Sequence, residues 1–151
     1  MNEDRTTLKC YMNDTGLLIS HSFDEKTIVS SEIYQKLLFG KLEVNEGMLM
    51  ENVVAQMLTA GGNKLFFYSK SSEKAENRME IDFLLQKDKV TTRHNIRPIE
   101  VKSGKNYTLS SITKCMKKFG EYVSSPTVLH AADYKVEDGV TYLPLYMTPL
   151  L

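Results

Sequence analysis

Two neighbouring apolar stretches of the sequence carry charged residues of the types that can bind a metal ion. Asp82 lies in the first stretch, and Glu100 and Lys102 lie in the second. Side chains alternate between the two faces of a strand, so Glu100 and Lys102 share a face while Val101 points to the other. If the two strands pair, Asp82 and Glu100 come within about 5 Å of each other on one face. Two such carboxylates repel each other unless a cation lies between them, and a hard divalent ion is the natural occupant.

The same residues also have a purely structural explanation. Charged residues on one face are ordinary for a half-solvated antiparallel sheet, and Glu-x-Lys is a short, common pattern. The site is favoured because Asp82 comes from a separate apolar strand and because a helix carrying Glu51 precedes both strands. For Glu51 itself, the helical pattern alone favours a solvated position at the flank of the apolar face.

The composition is that of one globular domain without a global charge. The chain has 151 residues, with 19 Lys plus Arg and 19 Asp plus Glu. Nucleic-acid binding would therefore need a local basic patch or a partner domain. Cys10 and Cys115 have no metal-ligand spacing, which is typical of free thiols in a reducing compartment. With no signal peptide and no membrane-spanning run, the sequence predicts a cytoplasmic protein that does not enter a membrane.

The first part of the chain predicts a small helical appendage over residues 1–44. A short helix begins at Leu17, and a second one is expected over residues 30–38, with a serine available as its cap. The core is then expected over residues 45–151. It begins with a helix that Asn45 can cap and that the pair Gly61-Gly62 ends.

The rest of the core alternates strands and one further helix. Strands are predicted over residues 64–68, around Asp82 and around Glu100, then a helix over 108–122 and a strand over 126–130. Pro144 is expected to confine the last segment, residues 140–147, to a sheet edge or an extended arm. The helix predicted over residues 108–122 carries three lysines that form either a solvated face or a phosphate-facing patch; they are Lys114, Lys117 and Lys118.

This order of elements resembles the core of the PD-(D/E)XK nuclease superfamily. In that core a helix, three strands, a helix and a strand follow one another, and the superfamily pattern would fall on Asp82, Glu100 and Lys102. Glu51 would be the additional helical acid found in some branches. The resemblance implies an α/β fold with a restriction-endonuclease-like core.

At a finer level the chain resembles the domain of unknown function that follows the ATPase module in a bacterial and archaeal AAA-type ATPase family. The motifs that carry this resemblance are residues 11–18, 47–54, 80–84, 98–104 and 143–146. It implies that the partner of this domain is an N-terminal ATPase module of the same protein. The sequence has no GxxxxGKS/T phosphate loop of its own.

The first functional hypothesis is a DNA endonuclease that depends on Mg²⁺ or Mn²⁺. Asp82 and Glu100 would ligate the metal together with the main-chain carbonyl of Val101. Lys102 would orient the attacking water and stabilise developing charge. Glu51 would hold a metal-bound water or a second metal.

Two other functions remain open. The domain could be a non-catalytic module that binds DNA or a protein and regulates the attached ATPase, with Lys102 paired to Glu100 or Asp82 in a network that needs no metal. It could also serve homo-oligomerisation, since an edge strand near Tyr142 and the Met and Tyr content would suit a protein interface.

Overall fold

The computed structural model describes residues 7–22, 46–87, 95–104 and 106–151. Its helices are α1 (Thr15–Ser22), α2 (Glu46–Ala60), α3 (Ser110–Phe119) and a closing 3-10 helix (Leu145–Leu150). Its strands are β1 (Phe66–Lys70), β2 (Met79–Gln86), β3 (Ile96–Lys102), β4 (Thr127–His130), β5 (Lys135–Glu137) and β6 (Val140–Pro144). The predicted α/β class is confirmed. The helix expected over residues 30–38 lies outside the described residues.

One six-stranded mixed sheet, in the order β1-β2-β3-β4-β6-β5, organises the fold. The first three strands are antiparallel, β3, β4 and β6 are parallel, and β5 is an antiparallel edge strand. Two parallel neighbours need a crossover connection, and α3 supplies it between β3 and β4. No helix in these ranges is long and apolar enough to cross a membrane.

Helix α2 packs an apolar face on one side of the sheet. Val54, Ala55 and Leu58 of α2 are buried against Ile99 and Leu129 of the central strands. The helix ends as predicted, at a glycine in the left-handed region (Gly62, φ 82°). This packing fixes the position of the first half of α2, where Glu51 lies, relative to the sheet.

Helix α3 covers the opposite side of the sheet. Ile112 of α3 packs with Val128 of β4, and Cys115 packs with Ile81 of β2. In the parallel ladder, Glu100 lies beside Val128 and Val101 beside Leu129. Glu100 therefore faces α3, and Val101 faces α2.

A β-bulge interrupts β2 at Asp82. Phe66 of β1 pairs with Leu84 of β2, and Tyr68 pairs with Ile81, so two residues along β1 correspond to three along β2. One extra residue of β2 therefore lies opposite Phe67. As a result, Ile81 packs on the α3 side of the sheet while Phe83 packs on the α2 side. Bulges re-aim side chains and are frequent beside active sites. Here the residue between these two core side chains is Asp82.

The C-terminal segment differs from the prediction. Its strand ends at Pro144 and a 3-10 helix follows. Strand β6 lies between β4 and β5 rather than at an edge, so the expectation drawn from Pro144 is wrong. The reason is that Pro144 is the last residue of the strand, beyond the part of the ladder that β5 pairs with. The strand at this edge of the sheet is instead β5, which the sequence did not reveal.

The bounds of the other elements agree with the sequence to within a few residues. Helix α1 forms where the short N-terminal helix was expected. Strand β1 begins two residues later than predicted, and α3 is shorter at both ends. The two cysteines are free thiols, Cys10 exposed and Cys115 buried.

Replacing Leu58 with alanine tests the packing of α2. The Leu58 side chain is 1% exposed, and Leu→Ala at such a position lowers the free energy of unfolding by about 2–5 kcal/mol. Urea denaturation measures this loss. The matched control is Leu17→Ala, since Leu17 is 53% exposed and such surface changes stay within about 0.5 kcal/mol. Equal losses in both variants would contradict the placement of α2.

Candidate functional site

Asp82 lies where β2 and β3 separate. The two strands pair antiparallel as predicted, and their ladder ends with Phe83 opposite Ile99. Asp82 and Glu100 are the next residues of the two strands, beyond the end of this ladder. There the Asp82 carboxylate takes the place of a main-chain acceptor, because its Oδ2 accepts a hydrogen bond from the Val101 N–H at 2.8 Å. The side chain thus fills the gap between the separating strands.

Glu100 is a buried carboxylate with little compensation. It is 2% exposed, and the Lys102 ammonium lies 2.8 Å from its Oε2. This contact lacks hydrogen-bond geometry, and neither Glu100 oxygen has a hydrogen-bond partner among the described residues. Taking a carboxylate out of water costs several kcal/mol, roughly, unless charge and hydrogen bonds replace the water. Lys102 is therefore the one charge that the described residues offer Glu100, and no hydrogen bond adds to it.

A second lysine, Lys9, compensates the other acids. Its ammonium lies 2.9 Å from Glu51, 2.9 Å from Glu80 and 3.6 Å from Asp82 Oδ1. The Tyr11 hydroxyl donates a 2.5 Å hydrogen bond to Glu51. Glu51 is thus part of the site, and the alternative of a solvated flank position is wrong.

The four acids do not gather on one face of the sheet. Asp82 lies near Lys9, which also pairs with Glu51 of α2, while Glu100 and Lys102 lie on the α3 side. This differs from the expectation of two carboxylates on a single face, and the bulge at Asp82 is the reason. The two carboxylates still interact, since the Glu100 charge contributes to raising the pKa of Asp82.

A buried asparagine positions Lys9. Asn52 of α2 is 2% exposed, and its amide accepts from the Met12 N–H at 2.8 Å and donates to the Met12 carbonyl at 3.1 Å. A third bond runs from Asn52 to the Thr15 hydroxyl at 2.9 Å. This clamp holds the segment 7–12 against α2, so that Lys9 and Tyr11 both reach Glu51.

Sequence reasoning missed three members of this site. They are Lys9, Tyr11 and Glu80. The one available signal was Asn52, an amide in the middle of an apolar helix face, because a buried amide needs hydrogen-bond partners and so predicts a segment packed on it.

Burial dominates the electrostatics of the site. It raises the pKa of Asp82 to about 6, with the Glu51 and Glu100 charges adding and the Val101 N–H and Lys9 opposing. For Lys9, burial acts to lower the pKa, but the hydrogen bonds and charges of the acids outweigh it and the pKa is raised. Burial and the bond to Glu51 raise the pKa of Tyr11, which keeps its hydroxyl a neutral donor.

The charges of the site favour a divalent cation. In the described ion pairs, two ammonium groups, those of Lys9 and Lys102, face four carboxylates. The four carboxylates are those of Glu51, Glu80, Asp82 and Glu100. With all groups ionised, Glu100 and Lys102 neutralise each other, and two negative charges are left over on the three acids that share Lys9. One divalent ion beside Asp82 would neutralise them. The donors are all oxygens, which suits Mg²⁺ or Mn²⁺.

The protein side chains alone do not form a complete metal cage. In the described ranges, no three His, Cys, Asp or Glu side chains converge closely enough to hold a metal ion. A bound Mg²⁺ would therefore rely on one or two carboxylates and keep several waters, as it commonly does. For Val101, the observed contact is its N–H bond to Asp82; the metal bond of its carbonyl remains a prediction.

A histidine beside Lys102 serves the structure instead of the chemistry. His130 pairs with Lys102 in the β3–β4 ladder and is 3% exposed. Its Nε2–H donates to the Asp133 carbonyl at 3.1 Å, which leaves Nδ1 to accept from the Tyr107 hydroxyl at 2.9 Å. Because both ring nitrogens are used, His130 is not free to act as a base or a ligand.

Comparison with known proteins identifies the family. Residues 46–147, about two thirds of the chain, match the profile of DUF4143, a domain of unknown function. The chain therefore belongs to the DUF4143 family. The matched range includes Glu51, Asp82, Glu100 and Lys102, whereas Lys9 lies before it. No curated protein and no solved structure matches the chain.

The pKa of Asp82 predicts a pH-dependent stability. Folding raises this pKa from 3.8 to about 6, so the folded state binds the proton more tightly. The resulting stabilisation is complete below about pH 4 and is lost as the pH rises through about 6. Between these limits, the free energy of unfolding of the wild type should fall by about 2–3 kcal/mol relative to Asp82→Asn.

Urea denaturation in metal-free buffer across this pH range measures the effect. The control is Asp138→Asn, at an exposed turn with φ 50° that asparagine tolerates. Its stability curve should run parallel to that of the wild type. A parallel curve for Asp82→Asn as well would contradict the burial of the Asp82 charge.

Proposed function

We propose that this chain is a divalent-metal-dependent phosphodiesterase domain that cleaves DNA. The observation that carries the proposal is the buried Glu100 carboxylate, which lies beside the point where β2 and β3 separate and has no hydrogen-bond partner among the described residues. A buried acid beside a second acid of raised pKa is typical of functional sites.

The arrangement of elements supports the same proposal. Helix α2, the antiparallel strands β1 to β3, helix α3 and the parallel strand β4 follow the order of a restriction-endonuclease-like core. In that core the acids would lie where β2 and β3 separate. Since a fold hosts many functions, the fold supports the proposal only together with the site. We also infer that the domain acts beside an AAA-type ATPase module of the same protein.

Each residue of the site has a role in this reaction. Asp82 and Glu100 lie on different faces of the sheet, but both border the point where β2 and β3 separate, and there they would hold Mg²⁺ or Mn²⁺ with the Val101 carbonyl. The bound ion would supply charge neutralisation and lower the pKa of water. Lys102, whose side chain is 25% exposed, reaches both Glu100 and solvent, so its ammonium orients water and stabilises charge on the phosphate. Glu51 supports the acids from α2.

Lys9 opposes the binding of the metal. Its ammonium already neutralises part of the charge on Asp82, Glu51 and Glu80. A cation that binds Asp82 must compete with this charge, because both occupy the space in front of the same oxygens. Lys9 therefore sets the metal affinity of the site.

One observation favours a second function. Lys9 and Lys102 pair with all four acids, and such a network can persist without a metal. On this alternative, the domain is a non-catalytic module that binds DNA or a protein and regulates the ATPase module. Metal binding distinguishes the two functions.

Isothermal titration of Mn²⁺ into the domain tests the metal site with variants of opposite effect. The wild type should bind Mn²⁺, and Asp82→Ala should abolish this binding because it removes a ligand. Lys9→Gln should tighten it several-fold, since the competing charge is gone. The control is Glu137→Gln, which removes an exposed carboxylate paired with Lys135 and should change nothing. No binding by the wild type or by Lys9→Gln would favour the non-catalytic module.

DNA cleavage tests the reaction itself. With Mn²⁺ present, the wild type should cleave fluorescent single-stranded or branched DNA. Lys102→Met should reduce the rate by about 10²–10³ through loss of charge stabilisation, as for other preorganised donors, while Mn²⁺ binding remains. A wild type that binds Mn²⁺ but cleaves no DNA, alone or with the ATPase module, would contradict the nuclease proposal.

A further inference from the structure

A second charged feature lies beside α3, and its lysines differ from those that pair with the acids. Four lysines line one open cleft of about 470 Å³. We call it the lysine cleft; it is lined by Lys70, Glu76, Asn77, Met79, Lys114, Lys117 and Lys118. These residues come from the end of β1, the loop 71–78, the start of β2 and α3, so elements far apart in sequence bring the lysines together.

The charge of the lysine cleft is not compensated within the protein. Four ammonium groups face the single carboxylate of Glu76, and none of the four forms an ion pair in the part of the chain that the structure describes. The whole chain has a formal net charge of zero. A local excess of positive charge in a neutral protein is therefore a feature of this cleft, and it favours an anionic partner.

Two of the four lysines belong to the walls of the cleft. The Lys114 ammonium donates to the carbonyls of Ala75 and Arg78 at 2.7 and 2.9 Å, which holds the loop 71–78 against α3. The Lys118 ammonium lies 4.8 Å from the centre of the Phe119 ring. Because these side chains are already ordered, a ligand loses less entropy in fixing them.

The other two lysines are available to a ligand. Lys70 and Lys117 are exposed and have no partner among the described residues. A lysine ammonium binds phosphate as a point charge and reads no base sequence. A ligand with repeated phosphates satisfies several ammonium groups at once, whereas a single small anion does not.

The lysine cleft lies beside the acid site along β2. Met79 lines the cleft, and Asp82 follows three residues later, about 10 Å along a strand. Since one DNA strand advances about 3.4 Å per nucleotide, this distance corresponds to about three nucleotides. A backbone that is held in the cleft and extends along β2 would approach Glu100 and Lys102, which lie on the same α3 side of the sheet.

We propose that the lysine cleft binds the sugar-phosphate backbone of nucleic acid and presents it to the acid site. The assignment of DNA as the substrate rests on the proposed function, but backbone binding by the cleft does not require the metal. Its test can therefore be made with no metal present.

Fluorescence anisotropy of labelled DNA in EDTA tests the lysine cleft. The variant is the double substitution Lys70→Gln with Lys117→Gln. The matched control is Lys64→Gln with Lys87→Gln, which removes the same charge from exposed positions outside the cleft that form no ion pair among the described residues. The cleft variant should bind duplex DNA at least about tenfold more weakly, and its slope of log affinity against log salt should fall by about 2, for two lost phosphate contacts. The control should stay within about twofold of the wild type.

Three results would overturn the proposal. They are equal weakening by both double variants, no DNA binding by the wild type, or displacement of DNA by polyglutamate at the same charge concentration, which would indicate an acidic protein as partner. Mn²⁺ titration of the cleft variant distinguishes failure of the cleft proposal from failure of the proposed function. If the cleft variant binds Mn²⁺ like the wild type but has lost DNA binding, the cleft proposal is supported. If no protein binds Mn²⁺ but DNA affinity still depends on the cleft lysines, only the metal site is refuted.

Discussion

The hydrogen bond from the Val101 amide to the Asp82 carboxylate is the constraint on which the rest of the site depends. It lies where β2 and β3 separate and replaces a bond of the main-chain ladder. A carboxylate can make this bond only by leaving water, which is why its pKa rises. Nearby charges must offset the free-energy cost of burying this carboxylate. Lys9 lies 3.6 Å from Asp82 Oδ1 and offsets part of this cost.

The two lysines compensate the acids by different routes. Lys102 is two residues from Glu100 on the same strand, so its position follows from the local backbone. Lys9 lies more than forty residues before Glu51 and reaches it only because Asn52 clamps the segment 7–12 on α2. One half of the site is therefore built into the sheet. The other half depends on a contact between distant parts of the chain.

The sequence predicted the half of the site that rests on local geometry. Alternation along a strand placed Glu100 and Lys102 on one face, and apolar runs gave the pairing of β2 with β3. It did not reveal the bulge at Asp82, because the residues around it are apolar in either register and leave the pattern unchanged. It also missed Lys9. The segment that carries Lys9 has no periodicity of its own, and only the buried amide of Asn52 determines where it lies.

The clamp of Asn52 on Met12 also makes the charge balance of the site depend on the position of one segment. Lys9 and Tyr11 precede the clamped residue, and Thr15 after it is tied to the same amide. If the segment 7–12 leaves α2, Lys9 and Tyr11 are displaced together, and Glu51, Glu80 and Asp82 lose their counter-charge in one step. The net charge of this surface thus depends on a packing contact between parts of the chain that are 40 residues apart.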